Sequence, residues 1–164
     1  MSNTTTIRRK PQRGEAMLEL SLVFVPLFAM VAGIADVSMN VFVKCSLQSA
    51  VREGVRYAVT YRVTDGLCQD ASIKKVVQNN TLGMLSSASD LEKIHVRYYN
   101  PANLSVEVTG AGSNFPGNVV EVSVEGYQRG WILPLLHQGL PINMNVYAAD
   151  RMESLASGAQ PPCR

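Results

Sequence analysis

The sequence predicts an α+β protein. One long N-terminal helix, apolar in its first half and amphipathic in its second, packs on a small antiparallel sheet with one further helix. Three observations carry this. Residues 20–35 form a sixteen-residue run without a charge, and Ser21 is their only polar member. Apolar residues then recur at helical spacing, with no proline, to about residue 61. Beyond residue 93 the apolar period falls from that of a helix to two.

The apolar run follows a basic leader. Arg8, Arg9, Lys10 and Arg13 lie within the first fourteen residues, which hold no acid. At about 1.5 Å per residue the sixteen-residue run spans about 24 Å, short of a hydrocarbon core of about 30 Å. The flanks lengthen it into a transmembrane helix over residues 15–43, provided that Glu19 and Asp36 find partners. Pro26 removes one helical hydrogen bond, so a kink or local melting is expected there. The basic leader before the span places the N-terminus in the cytoplasm and residues beyond about 40 outside. A cleaved secretory signal is the rival reading, since Gly33-Ile34-Ala35 has the small residues of a cleavage site. Glu19 inside the apolar segment and the helical pattern continuing past Asp36 count against it.

The second half of the helix carries Leu47, Val51, Val55 and Ala58 on one stripe, with Lys44, Gln48, Arg52 and Arg56 on other faces. One helix from about Glu15 to about Tyr61 would be on the order of 70 Å long. Gly54 weakens it slightly, and close packing against a neighbour is its structural use. Asp70 can cap a second helix carrying Ile73, Val76, Val77, Met84 and Leu85. Strands follow. Ile94, Val96 and Tyr98 share one face, as do Leu104, Val106 and Val108; Val120, Val122 and Val124 oppose Glu121, Ser123 and Glu125. Residues 142–152 read as a weaker fourth strand. "GAGSNFPGN", residues 110–118, reads as a hairpin loop. "WILPLLHQGLP", residues 131–141, is open to two readings, an exposed docking patch or a loop over a sheet edge.

Charge and motifs exclude several functions. The 4 leader cations leave 11 basic residues against 13 acids over the rest of the chain, about −2. No clustered Lys and Arg surface for nucleic acid is expected. His95 and His137 lack ligand spacing, and the glycine-rich segment lacks the lysine and helix of a phosphate loop. No metal, cofactor, small-molecule substrate or catalytic residue is expected, and the chain reads as an assembly protein rather than an enzyme. Cys45, Cys68 and Cys163 form no CxxC pair. In an oxidising compartment an odd count suggests one disulfide and one free thiol, although three unrelated thiols remain open. Cys68 opens the outer domain and Cys163 ends the chain, so a Cys68–Cys163 bond would tether the tail over residues 154–164, with Cys45 left free.

Glu19 is the residue that an ordinary anchor would lose. It stands five positions after Gly14, at the start of the apolar run. Basic leader, Gly14, four residues, Glu19 and an apolar helix together resemble the class III signal of type IV pilin-like proteins. "RGEAMLELSLVFVPLFAMVAGIAD" and "VKCSLQSAVREGVRYAV" are similar to the N-terminal blocks of the TadE-like minor pilins, or pseudopilins, of tight-adherence secretion systems. "VEVSVEGYQRGWILPLL" and "AADRMES" are loosely like that family's C-terminal segments, and residues 62–118 offer no specific match. The chain departs from the family in Glu15, where alanine often follows the glycine. The resemblance implies a cytoplasmic leader over residues 1–14, cut between Gly14 and Glu15 by a prepilin peptidase. It implies a periplasmic pilin-like domain over residues 44–164, anchored in a bacterial inner membrane and able to join a pilus. Other pilins, pilus assembly proteins and membrane lipid would be its partners, and Glu19 would set subunit register against a neighbour's new amine. The alternative class is a single-pass anchored binding module.

Overall fold

The structure, a computed structural model, describes residues 14–132, 140–156 and 159–164. Helix α1, Glu15–Val59, is continuous through Pro26. The expected local melting therefore does not occur. Its 45 residues run about 67 Å at 1.5 Å per residue. Helix α2 is Gln69–Asn80 and α3 is a single turn, Ala88–Leu91. Strands β1 (Ile94–Asn100), β2 (Asn103–Glu107), β3 (Val119–Arg129) and β4 (Ile142–Arg151) form one antiparallel sheet in the order β2-β1-β3-β4. This is the α+β class expected from the sequence.

The core lies between the sheet and the two longer helices. Leu47, Ala50, Val51, Val55 and Ala58 of α1 are buried, as the helical stripe predicts. Opposite them lie Ile73 and Val77 of α2 and the inward residues of the strands: Ile94, Val96, Tyr98, Val120, Val122, Val124, Met144 and Val146. Fully burying an aliphatic side chain of this size contributes about 1.5–3 kcal/mol. The amphipathic half of α1 contributes one side of the core, and α2 and the strands the other. Gly54 sits at the crossing of α1 and α2. A Cβ there would lie 2.5 Å from Val77 Cγ2 and 3.7 Å from Val122 Cγ1. Gly54→Leu is expected to destabilise the domain by about 1–3 kcal/mol through overpacking, read as a lower thermal midpoint. Gly54→Ala should cost less, because its gain in helix propensity of about 1 kcal/mol offsets part of the clash.

Several local readings are corrected. Asp70 does not cap α2; Cys68 occupies the N-cap and Asp70 lies in the first turn. The helix also stops before Met84 and Leu85. Leu82 and Gly83 take φ of +53° and +81°, left-handed values that end a helix. Leu85 still reaches the core from the following turn. Residues 110–118 are not a hairpin loop, since β1 lies between the strands they join. Tyr99 pairs with Glu107 on one side and Val119 on the other, so the segment passes across that end of β1. Leu104 and Val106 on the edge strand β2 are exposed, because neither α1 nor α2 extends over it. The fourth strand is no weaker than the rest: ten residues long, it pairs with β3 from Val119↔Arg151 to Arg129↔Ile142 around one irregularity.

The short α3 is held by a reciprocal cap. The Ser87 hydroxyl and backbone N–H both donate to Asp90 Oδ2, and Lys93 Nζ donates to Asp90 Oδ1 at 2.8 Å. The Lys93 bond, then the Ser87 bonds, hold the Asp90 carboxyl down at about 2. Because the folded value is depressed, the stabilisation is complete above the ordinary value of 3.8 and is lost as pH falls toward about 2. Amide exchange across residues 87–93 should accelerate over that window, and Asp90→Asn should abolish the pH dependence.

Candidate functional site

The first candidate surface is the N-terminal half of α1. Gly14 precedes the helix, and among the described residues beyond its chain neighbours no atom lies within 4 Å of where a Cβ would stand. Its carbonyl accepts from Leu18 N–H at 3.3 Å. From Met17 to Ile34 the large apolar residues, Leu20, Leu22, Val23, Phe24, Val25, Leu27 and Phe28 among them, are all exposed. An apolar surface so extended is not left to water; it marks contact with lipid or with other helices. The helix is long and apolar enough to cross a membrane. Ser21 and Ser38 are satisfied within the helix. Ser21 Oγ donates to Leu18 O at 2.8 Å and Ser38 Oγ to Ile34 O at 2.7 Å. Glu19 is different. It stands exposed among these side chains, and no ion pair joins it to another described residue.

The second feature is where α1 enters the domain. Asp36 is 2% exposed and accepts a hydrogen bond from the Ile132 backbone N–H at 2.8 Å. The carboxylate that interrupts the end of the apolar helix therefore has a donor from the β3–β4 connection. Trp131 Nε1 donates to Leu140 O at 3.1 Å, tying the two described ends of that connection together. Both sequence readings of residues 131–141, docking patch or edge cover, fall chiefly on residues 133–139. Those residues and His137 lie outside the described ones.

The third feature is the anchored C-terminus. Cys68 and Cys163 are disulfide-bonded, with Cα atoms 4.9 Å apart, and Cys45 is a free, exposed thiol on α1. Around the bond lies a polar network that the sequence did not signal. Gln69 N–H donates to Cys163 O at 2.7 Å, and Gln69 Nε2 to Ala58 O at 3.0 Å. Asn114 Nδ2 donates to Gln69 Oε1 at 2.6 Å and to Pro162 O at 3.0 Å. Arg164 lies over the Tyr98 ring at 4.8 Å and donates through Nε to Asp70 Oδ2 at 2.8 Å. Tyr98 OH donates to Asp70 Oδ1 at 2.9 Å. Burial, then the Asp70 charge, pushes the Tyr98 hydroxyl far above its usual range, so it remains a neutral donor. Buried Asn114 and Gln69 thus clamp the tail to the N-terminus of α2 and to the end of α1. The network is built for holding. Among the described residues, no three His, Cys, Asp or Glu gather as a metal site.

His95 lies on the outer face of the sheet, with Nε2 3.9 Å from Glu125. Arg97 binds Glu125 there at 2.6 Å and lies 3.6 Å from Glu121. The Arg97 hydrogen bond keeps the Glu125 carboxyl below its usual range. This is a solvated charge cluster of the kind expected on the face of a sheet opposite its helices.

Residues 14–56 match the family model described as TadE-like protein. No curated protein and no solved structure matches the chain. The match covers the stretch from Gly14 through the amphipathic part of α1 and supports the resemblance drawn from the sequence. With the exposed apolar helix, it fits a pilus-associated protein carrying an anchor-like N-terminal segment. The family is a pilus component, not a family of enzymes.

Proposed function

We propose that this TadE-like chain is a minor pilin, or pseudopilin, that takes part in assembling a tight-adherence pilus. In this reading a prepilin peptidase cuts between Gly14 and Glu15 from the cytoplasmic side. The released subunit stays in the inner membrane by residues 15–43, with residues 44–164 in the periplasm, and then joins or primes a fibre built by helix packing. One observation carries the reading: an exposed apolar helix that holds Glu19, a carboxylate without an ion pair to another described residue, five residues after Gly14. Gly14 supports the cleavage step, since a residue without a Cβ lets a protease approach the backbone closely.

N-terminal sequencing of the membrane-bound form tests the proposal. A mature start at Glu15 is expected; retention of Met1 or Ser2 would favour an anchored binding module. Gly14→Leu is expected to leave only full-length protein on a gel that resolves the fourteen-residue difference. A shortened product from that variant would overturn the class III reading. Co-purification with the fibre, against retention in the membrane, separates a fibre subunit from an assembly factor.

A further inference from the structure

We infer that the end of the domain nearest the apolar helix is a membrane-seating surface, in which Trp131, Ile132 and Leu140, fixed to Asp36, rest on the outer boundary of the bilayer. The inference rests on the membrane-anchored reading above. From Gly14 to Asp36 is 22 residues, or about 33 Å of helix, against a hydrocarbon core of about 30 Å. A helix entering the hydrocarbon at one face at Gly14 therefore leaves it at Asp36, and the rest of the anchoring segment, residues 37–43, crosses the headgroup layer. The β3–β4 connection meets α1 at that level, because Ile132 N–H donates directly to the Asp36 carboxylate. Leu140 is drawn to the same level by the Trp131 indole.

The chemistry of this level suits a lipid interface. Ile132 and Leu140 are 60% and 67% exposed, and Val37 and Val41, which follow Asp36 on α1, are exposed as well. Trp131 joins an apolar ring to a polar N–H, the combination that favours the headgroup boundary. Asp36, which would be costly facing hydrocarbon, is instead buried and hydrogen-bonded. The surface is also continuous with the span itself, so lipid adjoins it without any further partner. Seating would fix the height and tilt of the domain above the membrane before assembly.

Trp131 is the only tryptophan in the chain, so its fluorescence reports on this surface alone. The experiment uses the full chain in phosphatidylethanolamine–phosphatidylglycerol vesicles containing lipids brominated near the headgroup or near the chain end. Headgroup-proximal bromine is expected to quench Trp131 more strongly than chain-end bromine, and aqueous acrylamide should quench it less than in detergent. Ile132→Asp combined with Leu140→Asp alters only exposed side chains and should abolish the lipid quenching and restore acrylamide access. Wild-type emission open to acrylamide and untouched by brominated lipid would overturn the inference. So would emission shielded from acrylamide yet untouched by brominated lipid, which would assign the surface to a protein partner. A spin label at Leu27→Cys in a Cys45→Ser background separates the two readings. A deep label with a wet Trp131 overturns the seating alone, whereas a label outside the bilayer overturns the anchored reading with it.

Discussion

Glu19→Ala is expected to insert into the membrane and to be cut after Gly14, yet to be lost from the pilus and its assembly complex. Glu19 lies about 7–8 Å along the helix from Gly14 at 1.5 Å per residue. In the membrane the carboxylate can reach the wet interface, so the anchor tolerates it. Removing it makes the helix more apolar and leaves insertion intact, since a charge inside a span costs roughly 2.5–3.5 kcal/mol on insertion scales. The proposed cleavage would create a new amine at Glu15. When subunits leave the lipid and pack as helices, that amine and Glu19 are both at risk of burial. Losing one partner of a buried pair typically costs about 3–5 kcal/mol. Pairing Glu19 of one subunit with the amine of a neighbour would therefore fix axial register, as buried polar groups do in coiled coils. Glu19→Gln should rescue poorly, because it keeps the shape and removes the charge. Normal co-purification of both variants with the fibre would leave Glu19 without this role.

Removing the disulfide, by Cys68→Ser with Cys163→Ser, is expected to give the largest stability loss of any change in the domain. The bond closes a sequence separation of 95 residues. In the chain-entropy model a loop of that length is worth about 4–5 kcal/mol, often less in practice. Here the Gln69, Asn114 and Arg164 contacts hold the same tail without the bond, so the tail should loosen only in part. Asn114→Ala in the double-serine background should release it, because buried Gln69 Oε1 then loses its donor; an unsatisfied buried group costs about 1–3 kcal/mol. Urea midpoints of the three proteins measure both steps. If the double-serine variant unfolds at the same urea concentration as the wild type, the bond contributes nothing.

Much of this protein was fixed locally, and those parts are legible without coordinates. The α1 stripe of Leu47, Val51, Val55 and Ala58 and the alternating valines of β3 each state their own buried face, because a helix and a strand repeat on short, fixed periods. The roles proposed for Gly14 and Glu19 are likewise read from spacing along one helix. The family match over residues 14–56 falls on that same self-explanatory stretch.

Tertiary structure decided what depends on distant partners. Asp70 looks like a helix cap in the sequence, yet it receives Tyr98 and Arg164, 28 and 94 positions away. Asn114 sits in a glycine-rich segment that reads as a hairpin loop, and becomes a buried clamp only because β1 lies between β2 and β3. Leu104 and Val106 alternate as a buried strand should, but burial needs a covering layer, and neither helix extends over β2. Asp36 in turn is an isolated acid at the end of an apolar run until Ile132, 96 residues on, supplies its N–H. Periodicity identifies the face an element would bury, whereas chain topology determines which partner, if any, is there to cover it.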